Sequence, residues 1–240
     1  MMFTMSPIRL VTFDVTNTLI RVLGSVGKNY ANVASIYGKT VEPEKLDIAF
    51  RAVYKHNIKE FPNFGVHNNL TPFKWWTNVV VETFKAAGSD GKELEQIANH
   101  LYIMFSTQTG WEVVPGAINI LSLLKQNGVK IGIISNFDDR LEKILAELSL
   151  IHYFDFVIAS AIVKVAKPEA EIFKMALKKS DVKPEEVIHV GDNVNTDYFG
   201  AKDVGLNSVL FLDKDREVPD GVNDSNVIRS LDELPKFTFK

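Results

Sequence analysis

Apolar residues fall into two patterns along this chain, and the change from one to the other divides it into parts. Short, unbroken, β-branched runs cover residues 8–13, 129–134, 154–159 and 187–190, with a weaker one at 208–212. Each is bounded by polar or turn residues, which predicts strands buried on both faces. Helical spacing fills the gaps between the later runs, at residues 118–125, 138–148, 170–178 and 197–204. In the second of these, Leu141, Ile144, Leu145 and Leu148 share one face. Strand and helix alternating around buried strands predict an α/β fold, a Rossmann-like parallel sheet sandwiched by helices.

Residues 22–112 break that rhythm. Helical patterns at 29–37, 43–55, 72–87 and 93–105 are separated by turn signals at Gly38, Phe61-Pro62-Asn63-Phe64-Gly65 and Gly88-Ser89-Asp90-Gly91. This stretch predicts an all-helical insert between the first strand and the rest of the sheet. The expected domains are therefore a discontinuous core, 1–21 plus 113–240, and a helical cap, 22–112. Residues 213–226 are polar and turn-rich and predict a surface loop. Ser230 and Glu233 then fit a capping box for a short last helix.

The chain has 240 residues, 46% hydrophobic and 24% charged, with net charge −3. That is ordinary globular composition, without the basic footprint of a nucleic-acid or acidic-membrane binder. No apolar run approaches the roughly 18 residues of a membrane span. The segment Met1 to Pro7 lacks a positive region followed by a long apolar one, so no secretory leader is expected. There is no cysteine, which excludes disulfides, thiolate metal sites and cysteine nucleophiles. The expected location is intracellular, with cytoplasm and nucleus equally compatible.

The predicted strand ends carry the chemistry. Asp14 follows the first strand, Ser135-Asn136 the second, Lys167-Pro168 the third after a short connection, and Gly191-Asp192 the fourth, with Asp197 beyond. In an open parallel sheet, the carboxyl ends of the strands form the rim where ligands bind. An aspartate, a serine, a lysine and further aspartates are thus expected to converge. Ser135 also suits capping of the next helix, and Asp197 suits a helix N-terminus. Asn136 can face a phosphate or the turn backbone. Of the five histidines, none has metal-ligand spacing; His189 lies inside the fourth strand and reads as a packed residue.

These residues resemble the motifs of the haloacid dehalogenase-like hydrolase superfamily over nearly the whole chain. The first motif, Asp-x-Asp-x-Thr or Val, is matched by Asp14-Val15-Thr16-Asn17-Thr18 except at its third place. Ser135 after its apolar strand matches the second, Lys167-Pro168 with Phe173 the third, and Gly191-Asp192 with Asp197 the fourth. The helical insert lies where the family's type 1 cap lies. Within the superfamily, Phe61 to Gly65 followed by Trp75-Trp76, and Gly191-Asp192-Asn193 with Asp197-Tyr198 and Gly200, look like the branch of haloacid dehalogenase-like hydrolase domain-containing protein 3.

The resemblance implies a magnesium-dependent phosphatase whose expected partner is a small phosphorylated molecule. Asp14 is the nucleophile, forming an aspartyl-phosphate, and Lys167 offsets negative charge. Ser135, Asn136 and Lys167 bind the phosphoryl group. Asp14, Asp192, Asp197 and the backbone carbonyl of Thr16 hold Mg2+. In the family's phosphatases an aspartate at position 16 protonates the leaving oxygen, and threonine has no titration to do so. General acid–base catalysis contributes roughly 10²–10⁴-fold, so slow turnover is expected unless another group substitutes. Asp138 and Asp139 are candidates for that group, although both suit a helix N-terminus. Two further readings stand beside the phosphatase: a catalytically impaired binding or regulatory protein that keeps the phosphate pocket, and, more weakly, a 2-haloacid dehalogenase. The carboxylates Asp192 and Asp197 argue for metal and against the last.

Overall fold

The computed structural model describes residues 7–239. Most of the leader-like segment considered above, residues 1–6, lies outside the described residues. In chain order the strands are β1 (Leu10–Phe13), β2 (Ile20–Val22), β3 (Trp111–Val113), β4 (Lys130–Ser135), β5 (Phe156–Ala159), β6 (Val187–Gly191), β7 (Asn207–Phe211) and β8 (Val227–Ile228). Two compact units emerge. One runs to Arg21 and takes in Val113–Asn136 and the chain from Leu148 onward. The other is Val22–Glu112 together with Phe137–Glu147. Strands β2 and β3 form a separate two-stranded sheet at the chain positions where one unit gives way to the other.

The first unit is built on a six-stranded sheet in the order β5-β4-β1-β6-β7-β8. Every pairing in it is parallel. All of β1 and β6 is buried, as their unbroken apolar runs require. One face is covered by the helix Ala170–Ser180, whose Ile172, Phe173 and Ala176 pack with Leu10, Ile134, Ile158 and Val187. The helix Ala117–Gln126 packs against β4. Strand β8 has two residues and sits at the sheet edge, beyond the polar stretch read as a loop. So short a strand carries no readable periodicity. The Ser230–Glu233 capping box forms, and opens a 3-10 turn, Leu231–Glu233, before the short helix Pro235–Thr238.

The predicted helix at 197–204 takes another form. The chain makes a π-helical turn, Val194–Phe199, and then a short α-helix, Gly200–Lys202. The backbone amides of both Asp197 and Tyr198 reach the carbonyl of Asn193, at 3.0 and 3.2 Å. Widened turns of this kind recur at functional sites because they re-aim a side chain. Here the re-aimed side chain is Asp197.

The second unit is helical: Val26–Ile36, Pro43–Glu60, Pro72–Ala86, Leu94–Met104 and Leu141–Glu147. Ser25 and Thr71 cap two of these by accepting from Lys28 and Lys74 amides, and Pro43 and Pro72 occupy first-turn positions. Tyr30, Leu46, Val80, Phe84, Ile97 and Leu101 fill the core. Of the adjacent tryptophans, Trp75 is buried and donates to the Phe61 carbonyl at 3.0 Å. Trp76 stacks on Tyr54 and donates to Asp138 Oδ2 at 2.7 Å.

Asp138 explains why Phe137–Glu147 belongs to this unit. Besides the indole, its carboxylate accepts the Arg140 backbone amide at 3.0 Å and the Arg140 guanidinium at 2.9 and 2.6 Å. The guanidinium in turn lies over the Tyr102 ring, 4.1 Å from its centroid. Every lone pair of Asp138 is occupied, so it is not a substitute proton donor. Asp139 is exposed and bonds Tyr102. Removing one partner of a buried bidentate pair leaves the other uncompensated, at roughly 3–5 kcal/mol. Asp138→Ala is therefore expected to lower the unfolding free energy by about that amount in urea titration, with Asp139→Ala within about 0.5 kcal/mol of wild type.

Candidate active site

Four parallel strand ends bring the polar residues of the first unit together. The Asp14 amide bonds the Val190 carbonyl at 2.8 Å, which sets the end of β1 beside the end of β6. The next residues turn sharply: the Val15 carbonyl accepts from the amides of Thr18, Leu19 and Ile20, and the Asn17 amide bonds the Ile20 carbonyl. The Thr16 carbonyl takes no part in these bonds. Asn17 occupies the left-handed region, φ 60°, which asparagine tolerates. Its side chain donates to Asp192 Oδ2 at 3.3 Å.

At the centre lies Lys167. Its side chain is 1% exposed, and its ammonium sits 2.7 Å from Asp14 Oδ1 and 2.6 Å from Asp197 Oδ1. Ser135 donates to the same Asp14 oxygen at 3.0 Å. Asn136 acts on the backbone rather than on a ligand: its amide donates to the Lys167 carbonyl at 2.9 Å and its oxygen accepts the Lys167 amide at 2.8 Å. This reciprocal pair places the lysine. The structure thus brings Asp14, Ser135, Lys167, Asp192 and Asp197 together, and aims Asn136 at the chain that carries Lys167.

A second layer lies behind Asp197. His189 in β6 is fully buried; its Nε2 is 3.4 Å from Asp197 Oδ1 and its Nδ1 is 2.9 Å from the Thr12 hydroxyl. Thr12 and His189 face one another across the β1–β6 register. The Asn193 amide donates to Asp197 Oδ2 at 3.0 Å. Gly191 makes room: a Cβ there would lie 2.3 Å from Asp197 Cγ. His189 reads as packing from sequence alone. The signal that pairs it with Thr12 is two polar residues at equivalent places in two apolar strands.

Burial pushes the Asp14 carboxyl above the usual carboxylate range, against the pull of Lys167, and the charge of Asp197 adds to the push. Burial, then Asp14 and Asp197, push Asp192 up to about 7. Asp197 is the exception. Burial opposes its charge too, but the ammonium and His189 hold it well below the usual range. Burial also disfavours the Lys167 charge, and its two carboxylates outweigh that and keep it protonated. Desolvation lowers His189, leaving a neutral imidazole.

With all three carboxylates ionised against one ammonium, the cluster carries two negative charges. Asp14, Asp192 and Asp197 each offer one oxygen within 4.8 Å of the others. An all-oxygen set with surplus negative charge fits a hard divalent cation. Asp192, which accepts from the Asn17 side-chain amide and lies beyond ion-pair distance of Lys167, has the most to gain from one.

A family model described as haloacid dehalogenase-like hydrolase matches residues 8–205. The chain belongs to this family. The mouse haloacid dehalogenase-like hydrolase domain-containing protein 3 is 39% identical over 230 residues, covering 94% of this chain and 92% of the mouse protein. The Drosophila melanogaster rhythmically expressed gene 2 protein is 35% identical over 224 residues, 89% and 86% of the two chains. Among solved structures, the magnesium-bound putative HAD-hydrolase YfnB from Bacillus subtilis matches with a TM-score of 0.72 at 18% identity, covering 98% of this chain and all of that one. L-2-haloacid dehalogenase from Xanthobacter autotrophicus with chloropropionic acid covalently bound gives 0.70 at 19%, over 96% and 98%. The last two share the fold with this haloacid dehalogenase-like hydrolase. Among its described residues, no helix is long and apolar enough to cross a membrane.

The raised Asp192 fixes a pH signature. Its folded form keeps a proton that the unfolded form has released, so between about pH 4 and about pH 7 its contribution to stability falls as pH rises. A divalent cation must displace that proton and finds the carboxylate ready only above about 7. Magnesium is expected to raise the melting temperature more near pH 8 than near pH 5.5 in a thermal scan. A shift independent of pH, or its persistence in Asp192→Asn, would count against Asp192 as a ligand.

Proposed function

We propose that this hydrolase cleaves a small phosphoric monoester through a phosphorylated Asp14, with Mg2+ held by Asp14, Asp192, Asp197 and the Thr16 carbonyl. The observation that carries the reading is the convergence of three carboxylates, two of them on one buried lysine. A dehalogenase site has no evident use for two carboxylates beyond its nucleophile. A phosphoryl group has one, because its own negative charge must be brought to a carboxylate. The cation, when bound, supplies the charge neutralisation that this approach needs.

The chain's residues account for the remaining chemistry. Asp14 forms a bond to phosphorus as the ester P–O bond breaks; the leaving oxygen departs as an alkoxide or aryloxide and takes its proton from solvent water. Water then attacks the aspartyl-phosphate, releasing phosphate and restoring the carboxylate. The Lys167 ammonium and the Ser135 hydroxyl, already on Asp14 Oδ1, stabilise charge that spreads onto the phosphoryl oxygens. Asp197 keeps the ammonium in place, and the neutral His189 orients Asp197 from behind. Asn136 holds the main chain of Lys167.

Thr16 sits two residues past the nucleophile and cannot give the leaving alkoxide a proton near neutral pH. The reading is therefore of a phosphatase favouring good leaving groups. The helical unit, Val22–Glu112 with Phe137–Glu147, serves as its cap in this reading. Thr16 also favours a second reading, a phosphate-pocket protein with little turnover.

Magnesium-dependent release of phosphate from an aryl ester is expected for wild type and lost in Asp14→Asn. Thr16→Asp is expected to raise hydrolysis of an alkyl phosphate by about 10²-fold or more. Aryl turnover that survives Asp14→Asn refutes the nucleophile. Absence of turnover, with beryllium fluoride still stabilising the magnesium form, selects the binding protein.

A further inference from the structure

The first unit has a cavity of about 540 Å³ beside the candidate site. Asn17 and Asp192, which belong to that site, form part of its wall. The rest of the wall is basic to an unusual degree for a chain of net charge −3: Arg21, Lys214, Arg216 and Arg229 all line it. They come from three separate places in the chain, within β2, after β7 and after β8, so the topology rather than a local charge run gathers them. Asp213 offsets one of the four, and Asp192 faces the acidic cluster.

The basic wall is held in place. Arg229 donates through Nη1 to the carbonyl of Arg216 at 2.6 Å and to that of Asp213, stapling the loop that carries Lys214 and Arg216. Its own amide is fixed by Glu233 Oε1 at 2.8 Å, part of the capping-box turn. Among the described residues, Lys214 and Arg216 have no ion-pair partner. Side chains of one sign gathered around a concavity raise the local concentration of the opposite charge. A wall that joins such cations to Asp192 fits a molecule with two anionic ends, one for each region.

We infer that this cavity is a subsite for a second anionic group on the substrate, a phosphate or a carboxylate, recognised by Lys214 and Arg216, with Arg21 and Arg229 also in its wall. The substrate class is then a phosphoric monoester bearing another anionic group, rather than a neutral alcohol phosphate. This inference rests on the phosphomonoesterase reading. It adds a source of specificity within the sheet-containing unit itself.

Non-hydrolysable phosphonates separate the two ideas, because their binding needs no turnover. Calorimetry with magnesium present compares propylphosphonate, a series of α,ω-bisphosphonates of increasing chain length, and the matching ω-phosphonocarboxylates. Wild type is expected to bind at least one bis-anion about tenfold or more tightly than propylphosphonate. Lys214→Ala with Arg216→Ala should abolish that preference and leave propylphosphonate unchanged. Both residues lie on an exposed loop, so the fold is expected to survive. Lys178→Ala with Lys179→Ala, on exposed positions of another helix, controls for bulk charge. Preference for the bisphosphonates identifies phosphate as the second group, and preference for the phosphonocarboxylates identifies carboxylate. Equal affinity for all three classes, or a preference that persists in the Lys214/Arg216 variant, overturns the subsite. Failure of every compound, propylphosphonate included, overturns the phosphate site itself and the subsite with it.

Discussion

One buried ammonium organises this protein's chemistry. Lys167 lies between two carboxylates at 2.7 and 2.6 Å with almost no solvent contact. A lysine in that position is costly to desolvate, and so are the carboxylates; each makes the others tolerable. The surroundings then divide the charge unevenly. Asp197 has the ammonium, the imidazole and a backbone amide as donors, and it stays ionised. Asp14 has the ammonium and a serine, and its proton affinity is raised. Asp14 is thus less fully satisfied than Asp197, which is the order the proposed nucleophile requires.

The sheet decides where this happens. A polar side chain at the end of a fully buried strand is legible in sequence because nothing in the packing calls for it, and Asp14, Ser135 and Asp192 could each be placed for that reason. The parallel fold follows from the same runs of apolar residues. What could not be read depends on side-chain direction. A strand buried on both faces has no polar alternation to show which way His189 points, so its bond to Asp197 was invisible, although its match with Thr12 at the equivalent place in β1 was not. The π turn at Val194–Phe199 was likewise hidden, since 3.6-residue spacing describes its hydrophobic positions nearly as well. Nothing in the pattern at 138–148 told that Asp138 and Arg140 would form their own buried centre with Trp76 and Tyr102.

Thr16 acquires a different weight in this setting. Around it, the carboxylate cluster, the lysine and the serine are all assembled, so the substitution does not stand in a decayed site. The neighbouring Asn17 is tied to Asp192 and lines the basic cavity as well. Asn17 thus gives the turn after β1 polar contacts with both the carboxylate cluster and the cavity, which fits the proposed substrate, one whose leaving group asks little of an acid and whose binding asks more.

The reciprocal pair between Asn136 and Lys167 has a consequence in chain statistics. From residue 136 the polypeptide leaves the sheet, passes through Phe137–Glu147 in the other unit, forms β5 and returns. Two hydrogen bonds from the Asn136 side chain to the Lys167 main chain close that excursion at its neck. Because the entropy of closing a loop grows only with the logarithm of its length, the neck is nearly indifferent to how much chain hangs from it. The excursion can therefore lengthen or shorten over evolutionary time while the cation still arrives at its two carboxylates.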